Sequence, residues 1–234
     1  MKYFELAKKA QANYKYPIIL AKVGSQIHEL ADKVVNENEN VEFLTTENKI
    51  GMRVYQRSLV FLFLKAVNAF APYARVNVRF PLGDAVYIKC DNLDIQKSLY
   101  AIDDMMRSMA KRDIVIKKEI VSLDDAMQYF AEQGMTEKEE LFSFRRVSSI
   151  KLYDMDGFKN YFYGDLVYST GVLTKFKLVP FKNGVLLCYP NTSNPDVVAD
   201  VLAPFFCTIL IPSQLLQDTE PENNNLGGSH DRSC

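Results

Sequence analysis

The sequence predicts an α+β fold, and three observations predict it. Segments with strand character and segments with helical character follow one another without a repeating strand–helix–strand unit, which argues against a doubly wound sheet. Glycine-containing turns at Gly83-Asp84, Asp156-Gly157 and Asn183-Gly184 separate neighbouring strand-like runs, the signature of hairpins. One segment, from about Met52 to Ala71, is apolar around too much of its circumference to be a surface helix and so belongs at the centre.

Taken in order, residues 1–16 predict a short helix with Ala7, Ala10 and Tyr14 on one side. Pro17 to Val23 reads as a strand turned by Gly24-Ser25. Ile27 to Leu30 is its return and Val41 to Leu44 a third strand, with the Asn-rich stretch 36–40 as a loop between them. The central helix comes next, with Arg53, Arg57 and Lys65 on its less apolar side. Arg75 to Phe80 alternates polar and apolar residues, and Gly83-Asp84 returns it through Ala85 to Cys90.

Asp94 to Lys111 is an amphipathic helix whose Leu99, Ile102, Met106 and Met109 form one stripe, read as core. Ile114 to Val121 alternates as a strand. Ser122 with Asp125 opens a helix that Gly134 closes, and Thr136 with Glu139 opens another. Four or five strands are expected between Arg146 and Tyr189, with a further turn at Gly171. After Asn191 the character changes: 203–211 is apolar without amphipathic period, and 218–233 is polar and expected to be disordered.

At 234 residues and 48% hydrophobic composition, the chain has room for one ordinary core and a small appendage. A net charge of -1 gives no overall pull toward nucleic acid or acidic lipid. No apolar run approaches the roughly 20 residues that span a bilayer, and the start lacks a signal-peptide core. Four scattered cysteines without a CxxC pair suit a reducing, cytoplasmic setting.

The missing residue types exclude several chemistries. With only two histidines, His28 and His230, no zinc-ligand spacing exists, and His28 reads as a residue at a strand rim. No GxxxxGK[ST] loop and no GxGxxG follows a strand, so a phosphate cradle for phosphoryl transfer is absent from the sequence. Neither a metal nor a cofactor is therefore expected in this chain.

Two segments carry a family resemblance. Gly51-Met52-Arg53-Val54-Tyr55-Gln56-Arg57-Ser58-Leu59-Val60-Phe61-Leu62 resembles the first helix of the threonyl-tRNA synthetase editing domain, which bears an HSxxH motif. Asp156 through Leu166, continuing through Ser169-Thr170-Gly171 to Phe176-Lys177-Leu178, resembles that domain's second motif, which holds a Cys and a His four residues apart. On this match Arg57 and Phe61 stand at the two histidine positions, and Phe162 and Leu166 at the Cys and His positions. A hydrocarbon side chain cannot bind metal, position water or exchange a proton, so the family's editing hydrolysis is not expected.

The retained Tyr161-Phe162-Tyr163-Gly164 and Ser169-Thr170-Gly171 resemble more closely the amino-terminal region of bacterial uridine-kinase-like proteins. Those proteins place a TGS-type domain and an editing-like domain before a P-loop kinase. The resemblance implies a partial TGS-type unit at 1–46, a degenerate editing-like domain with a mixed sheet and central helix at 47–190, and an atypical tail at 191–234. It further implies a kinase domain missing from this chain through truncation, frameshift or excision. ATP and Mg are expected only of that domain.

Candidate binding residues are Arg53, Arg57, Tyr163, Asp165 and Ser169. Arg53 and Arg57 share a helix face, either as an anion-binding pair or as a solvated, salt-bridged face. Tyr161, Tyr163, Asp165, Tyr168 and Ser169 form either a polar-aromatic rim that could stack a base or simply packed sheet. Lys117-Lys118 and Arg145-Arg146 read as solvated surface. The leading expectation is a non-catalytic regulatory or ligand-sensing module of an ATP-dependent nucleoside kinase, with nucleoside, nucleotide or tRNA-like RNA as ligand. The alternatives are an RNA-binding module for tRNA-like ends, or an aminoacyl-tRNA editing hydrolase using other residues.

Overall fold

The computed structural model describes residues 1–34 and 40–199. The stretches 203–211 and 218–233, and all of 36–40 except Asn40, lie outside the described residues. Residues 1–199 pack as one compact α+β unit.

Helix α1 (Tyr3–Ala10) gives way to a 3-10 turn at Gln11–Asn13, earlier than the helix expected over 1–16. The cause is local. The Gln11 amide accepts the Ile18 N–H at 2.9 Å and donates to the Tyr16 carbonyl at 3.0 Å, tying down the chain that would otherwise continue the helix. Strands β1 (Ile18–Val23), β2 (Gln26–Glu29) and β3 (Val41–Thr45) then form an antiparallel sheet in the order β2-β1-β3.

Helix α2 (Lys49–Phe70) starts at Asn48, whose side chain accepts the Ile50 N–H at 2.8 Å, as N-cap residues do. Its buried residues face several directions, from Met52 and Tyr55 to Leu59, Phe63 and Val67, so it is the central helix the sequence predicts. Gly51 permits its approach to β3. A Cβ there would meet the Thr45 carbonyl oxygen at 2.2 Å. Strands β4 (Arg75–Pro81) and β5 (Ala85–Asp91) form the expected hairpin. Helix α3 (Ile95–Arg112) is capped by Asp94 and packs against α2, with Ile102, Met106 and Met109 buried.

Strand β6 (Ile116–Ser122) leads into α4 (Leu123–Glu132), where Ser122 Oγ accepts the Asp125 N–H at 3.1 Å, and then α5 (Thr136–Ser143). Four strands complete the unit: β7 (Ser149–Met155), β8 (Phe158–Tyr161), β9 (Lys177–Phe181) and β10 (Gly184–Cys188). They do not extend one mixed sheet. Instead β9 and β10 join the first hairpin as β4-β5-β10-β9, and β7 and β8 join β6 as β6-β7-β8. Every pairing is antiparallel. The turn expected at Asn183-Gly184 is also shifted. The β9–β10 turn is Lys182-Asn183, and Gly184 lies within β10, where a Cβ would meet the Ile88 carbonyl oxygen at 2.1 Å. That glycine serves close strand packing and not turn conformation.

The main core joins Ile19, Leu20 and Leu44 of the first sheet to α2, α3 and both later sheets. The β-rich segment expected at 1–46 is thus sealed onto the rest of the unit. A smaller cluster under α1 and another between α4, α5 and the β6-β7-β8 sheet complete the packing. No helix among the described residues is long and apolar enough to cross a membrane.

Candidate functional site

From Phe162 to Phe176 the chain is irregular apart from a β-bridge at Ser169 and a 3-10 turn at Thr170–Val172. Buried backbone groups outside helix and sheet need other partners. Side chains from several elements supply them. Ser58 Oγ on α2 accepts the Val167 N–H at 3.0 Å and donates to the Val54 carbonyl at 2.7 Å. Arg57 Nη1 donates to the Asp165 carbonyl at 2.6 Å. The hydroxyl of Tyr55 accepts the Lys175 N–H at 2.9 Å and lies 3.1 Å from the Lys175 carbonyl. Beyond α3, Asp113 Oδ1 accepts the Gly171 N–H at 2.8 Å, and Thr170 Oγ1 bridges the Met109 carbonyl and the Ile114 N–H.

Glu29 is the centre of this arrangement. It ends β2, is only 3% exposed, and its Oε1 accepts both the Leu166 N–H, at 2.9 Å, and the hydroxyl of Tyr153 on β7. Its other oxygen makes no hydrogen bond of good geometry among the described residues, but the Lys118 ammonium stands 2.6 Å away as an ion pair. Asp32 shares that ammonium at 2.5 Å. A buried carboxylate persists only when paired and hydrogen-bonded, and both conditions are met here.

The titration behaviour follows from this geometry. Burial, reinforced by the Glu29 carboxylate, pushes the Tyr153 hydroxyl far above its ordinary range. Burial alone would lower the Lys118 ammonium, but Asp32 and Glu29 outweigh it and hold it above its ordinary value. Desolvation likewise raises Tyr55.

The four positions matched to the editing motifs lie around this segment. Phe61 is fully buried, with its ring centroid 5.1 Å from Phe162 and 5.9 Å from Phe158. Leu166 is buried in the main core. Arg57 is half-buried and packs over Gly164, whose φ of +117° and lack of a side chain let the guanidinium approach. A Cβ there would meet Nη1 at 2.9 Å.

Of the five candidate binding residues, the structure joins Arg57 to Asp165 through the latter's carbonyl, and the Asp165 carboxylate lies 3.3 Å from Lys151. Ser169 is buried and bridges to Val115. Arg53 is exposed, and Tyr163, 84% exposed, projects from the surface. His28 stacks on Tyr3 with centroids 5.1 Å apart. Among the described residues no cluster of three or more His, Cys, Asp or Glu side chains could hold a metal ion.

The residues that organise the segment most strongly, Glu29, Lys118 and Tyr153, are not singled out by the sequence. Lys118 in particular is not the solvated lysine that the Lys117-Lys118 pair implies, because two carboxylates draw it inward. No local pattern marks these residues, since Glu29 and Tyr153 are separated by 124 positions.

A groove of about 330 Å³ opens beside this network, lined by Lys2 and Ala31, by 115–119 of the β6 segment and by Tyr168. Tyr168 is fixed there by stacking on Phe4, centroids 3.9 Å apart. No protein-family model matches the chain, and no curated protein matches it.

Proposed function

We propose that the chain is a non-catalytic regulatory or ligand-sensing module that works with an ATP-dependent uridine or nucleoside kinase domain in the cytoplasm. One observation carries this reading. The positions that match the editing motifs are occupied by packing: Phe61 against Phe162, Leu166 in the core, and Arg57 bonded to the Asp165 carbonyl. Positions filled by packing and backbone hydrogen bonding support sensing or docking over turnover by the family's mechanism. The degenerate editing-like domain and its TGS-type unit belong to the same proposal. The exposed Tyr163 and Arg53 favour the second reading, a grip on a tRNA-like end by stacking and charge.

The test is calorimetric titration of the chain with uridine, UTP, CTP and ATP, alongside assays for uridine phosphorylation and for deacylation of mischarged tRNA. Saturable nucleoside or nucleotide binding without turnover is the expected result. Binding to tRNA alone, with affinity falling steeply as salt rises, would transfer the assignment to the RNA-binding reading. Deacylation that survives a chelator would transfer it to hydrolysis by a residue set outside the family motifs.

A further inference from the structure

The backbone around β6 is paired on one side and only begun on the other. Ile114, Ile116, Tyr168 and Thr170 start a short antiparallel ladder. The Ile116 N–H donates to the Tyr168 carbonyl at 2.9 Å, and the Thr170 N–H to the Ile114 carbonyl at 3.0 Å. Backbone groups alternate sides along a strand, so the next outward pairs belong to Lys118 and Ile120. Neither has a backbone partner on that edge among the described residues. The ladder stops where the groove beside Lys2, Ala31 and Tyr168 opens.

Other sheet edges carry the features that discourage strand addition. β4 has a register break after Val78 and ends in Pro81, and β9 contains Pro180. β2 and β8 are four residues long, and β3 only five. By contrast β6 runs seven residues in unbroken register with β7, without proline, and exposes 78% of Ile120.

The charges select the occupant. Lys2 and Lys117 are exposed and have no ion pair among the described residues, whereas the nearby Glu119 is neutralised by Lys159 at 2.7 Å. Like charges on adjoining strands repel, so these lysines disfavour a lysine-bearing strand and favour carboxylates. We propose that the free edge of β6, from Lys118 to Ile120, together with the adjoining groove, receives an extended acidic peptide of a partner protein by strand addition. Main-chain hydrogen bonds would supply the affinity, and Lys2 and Lys117 the preference for acidic side chains.

The test uses the full chain and a fluorescein-labelled peptide of alternating Glu and Val, about eight residues long, a length that suits a strand. Fluorescence anisotropy should give saturable binding with Kd at or below about 100 μM, in the range of weak, specific peptide recognition. Methylating the peptide's backbone nitrogens at alternate positions, on the edge facing β6, should weaken binding at least about tenfold, because a methylated nitrogen cannot donate to a strand. Ile120→Pro, checked for native circular dichroism, and Lys117→Glu should each weaken it as well.

The proposal fails if the methylated and parent peptides bind alike, if a Lys-Val peptide binds as tightly as the acidic one, or if no saturable binding occurs. A dimer of this chain that Ile120→Pro converts to monomer would assign the edge to a second copy instead. Because the peptide readout involves no nucleotide, its failure leaves the kinase-module reading unaffected.

Discussion

Glu29 and Tyr153 stand on different sheets, 124 residues apart, and share a buried hydrogen bond that ties β2 to β7. Tyr153 also lies 3.1 Å from the Gly164 carbonyl, and Glu29 holds the Leu166 N–H, so one pair of side chains fixes both sheets and the irregular segment between Phe162 and Phe176. Tyr153→Phe should therefore lower stability by about 1–3 kcal/mol, the cost of leaving a buried polar group short of a partner. Urea unfolding followed by circular dichroism measures it. A change within error would show that the bond contributes nothing net.

Ser58→Ala tests the second tether. Its hydroxyl is buried between the Val167 N–H and the Val54 carbonyl, and losing it strands the N–H. A loss of about 1–3 kcal/mol is expected. Faster amide exchange at Val167, read by hydrogen–deuterium exchange, should accompany it.

Gly164→Ala combines two penalties: a residue forced to hold φ of +117° and a Cβ 2.9 Å from Arg57 Nη1. The expected cost is about 1–3 kcal/mol, together with release of Arg57 from the Asp165 carbonyl. Arg57→Ala in the Gly164→Ala background should then recover part of the loss by removing the clash. Thermal melts of the single and double variants decide the point.

Phe61→Ala removes a ring packed between Phe158 and Phe162 in the main core. The cavity it leaves should cost about 3–5 kcal/mol. A cost near zero in urea unfolding would mean that this position is an open site and not core.

Alkaline pH should destabilise the chain, with a sign that follows from the raised values. Tyr153 and Tyr55 hold their protons more tightly folded than at the ordinary 10.0, and Lys118 more tightly than at the ordinary 10.5. Above those ordinary values the unfolded chain loses these protons first, so stability is fully present below pH of about 10 and falls as pH rises further. Urea midpoints between about pH 8 and 11.5 should show the decline, and Tyr153→Phe should flatten it. Tyrosine absorbance should also show Tyr189, pushed up to about 12 by burial, ionising late.

Much of the fold was legible because its signals are local. The cap at Ser122, the Met stripe of α3 and the turn at Asp156-Gly157 each express their physics within one or two turns of chain. Errors fell where a side chain or a neighbouring strand intervened from outside that window. Gln11 captured the Ile18 N–H and ended α1 early, and Gly184 was needed for contact with Ile88 and not for a turn.

By itself the sequence determined an α+β chain with a central apolar helix, because amphipathic period and turn chemistry are properties of neighbouring residues. The tertiary structure alone decided that strands far apart in sequence sort, among the described residues, into three antiparallel sheets, and that Glu29, Lys118 and Tyr153 meet at their junction. Pairing and ion-pair formation over such separations depend on which surfaces the whole core brings together. No local pattern encodes that.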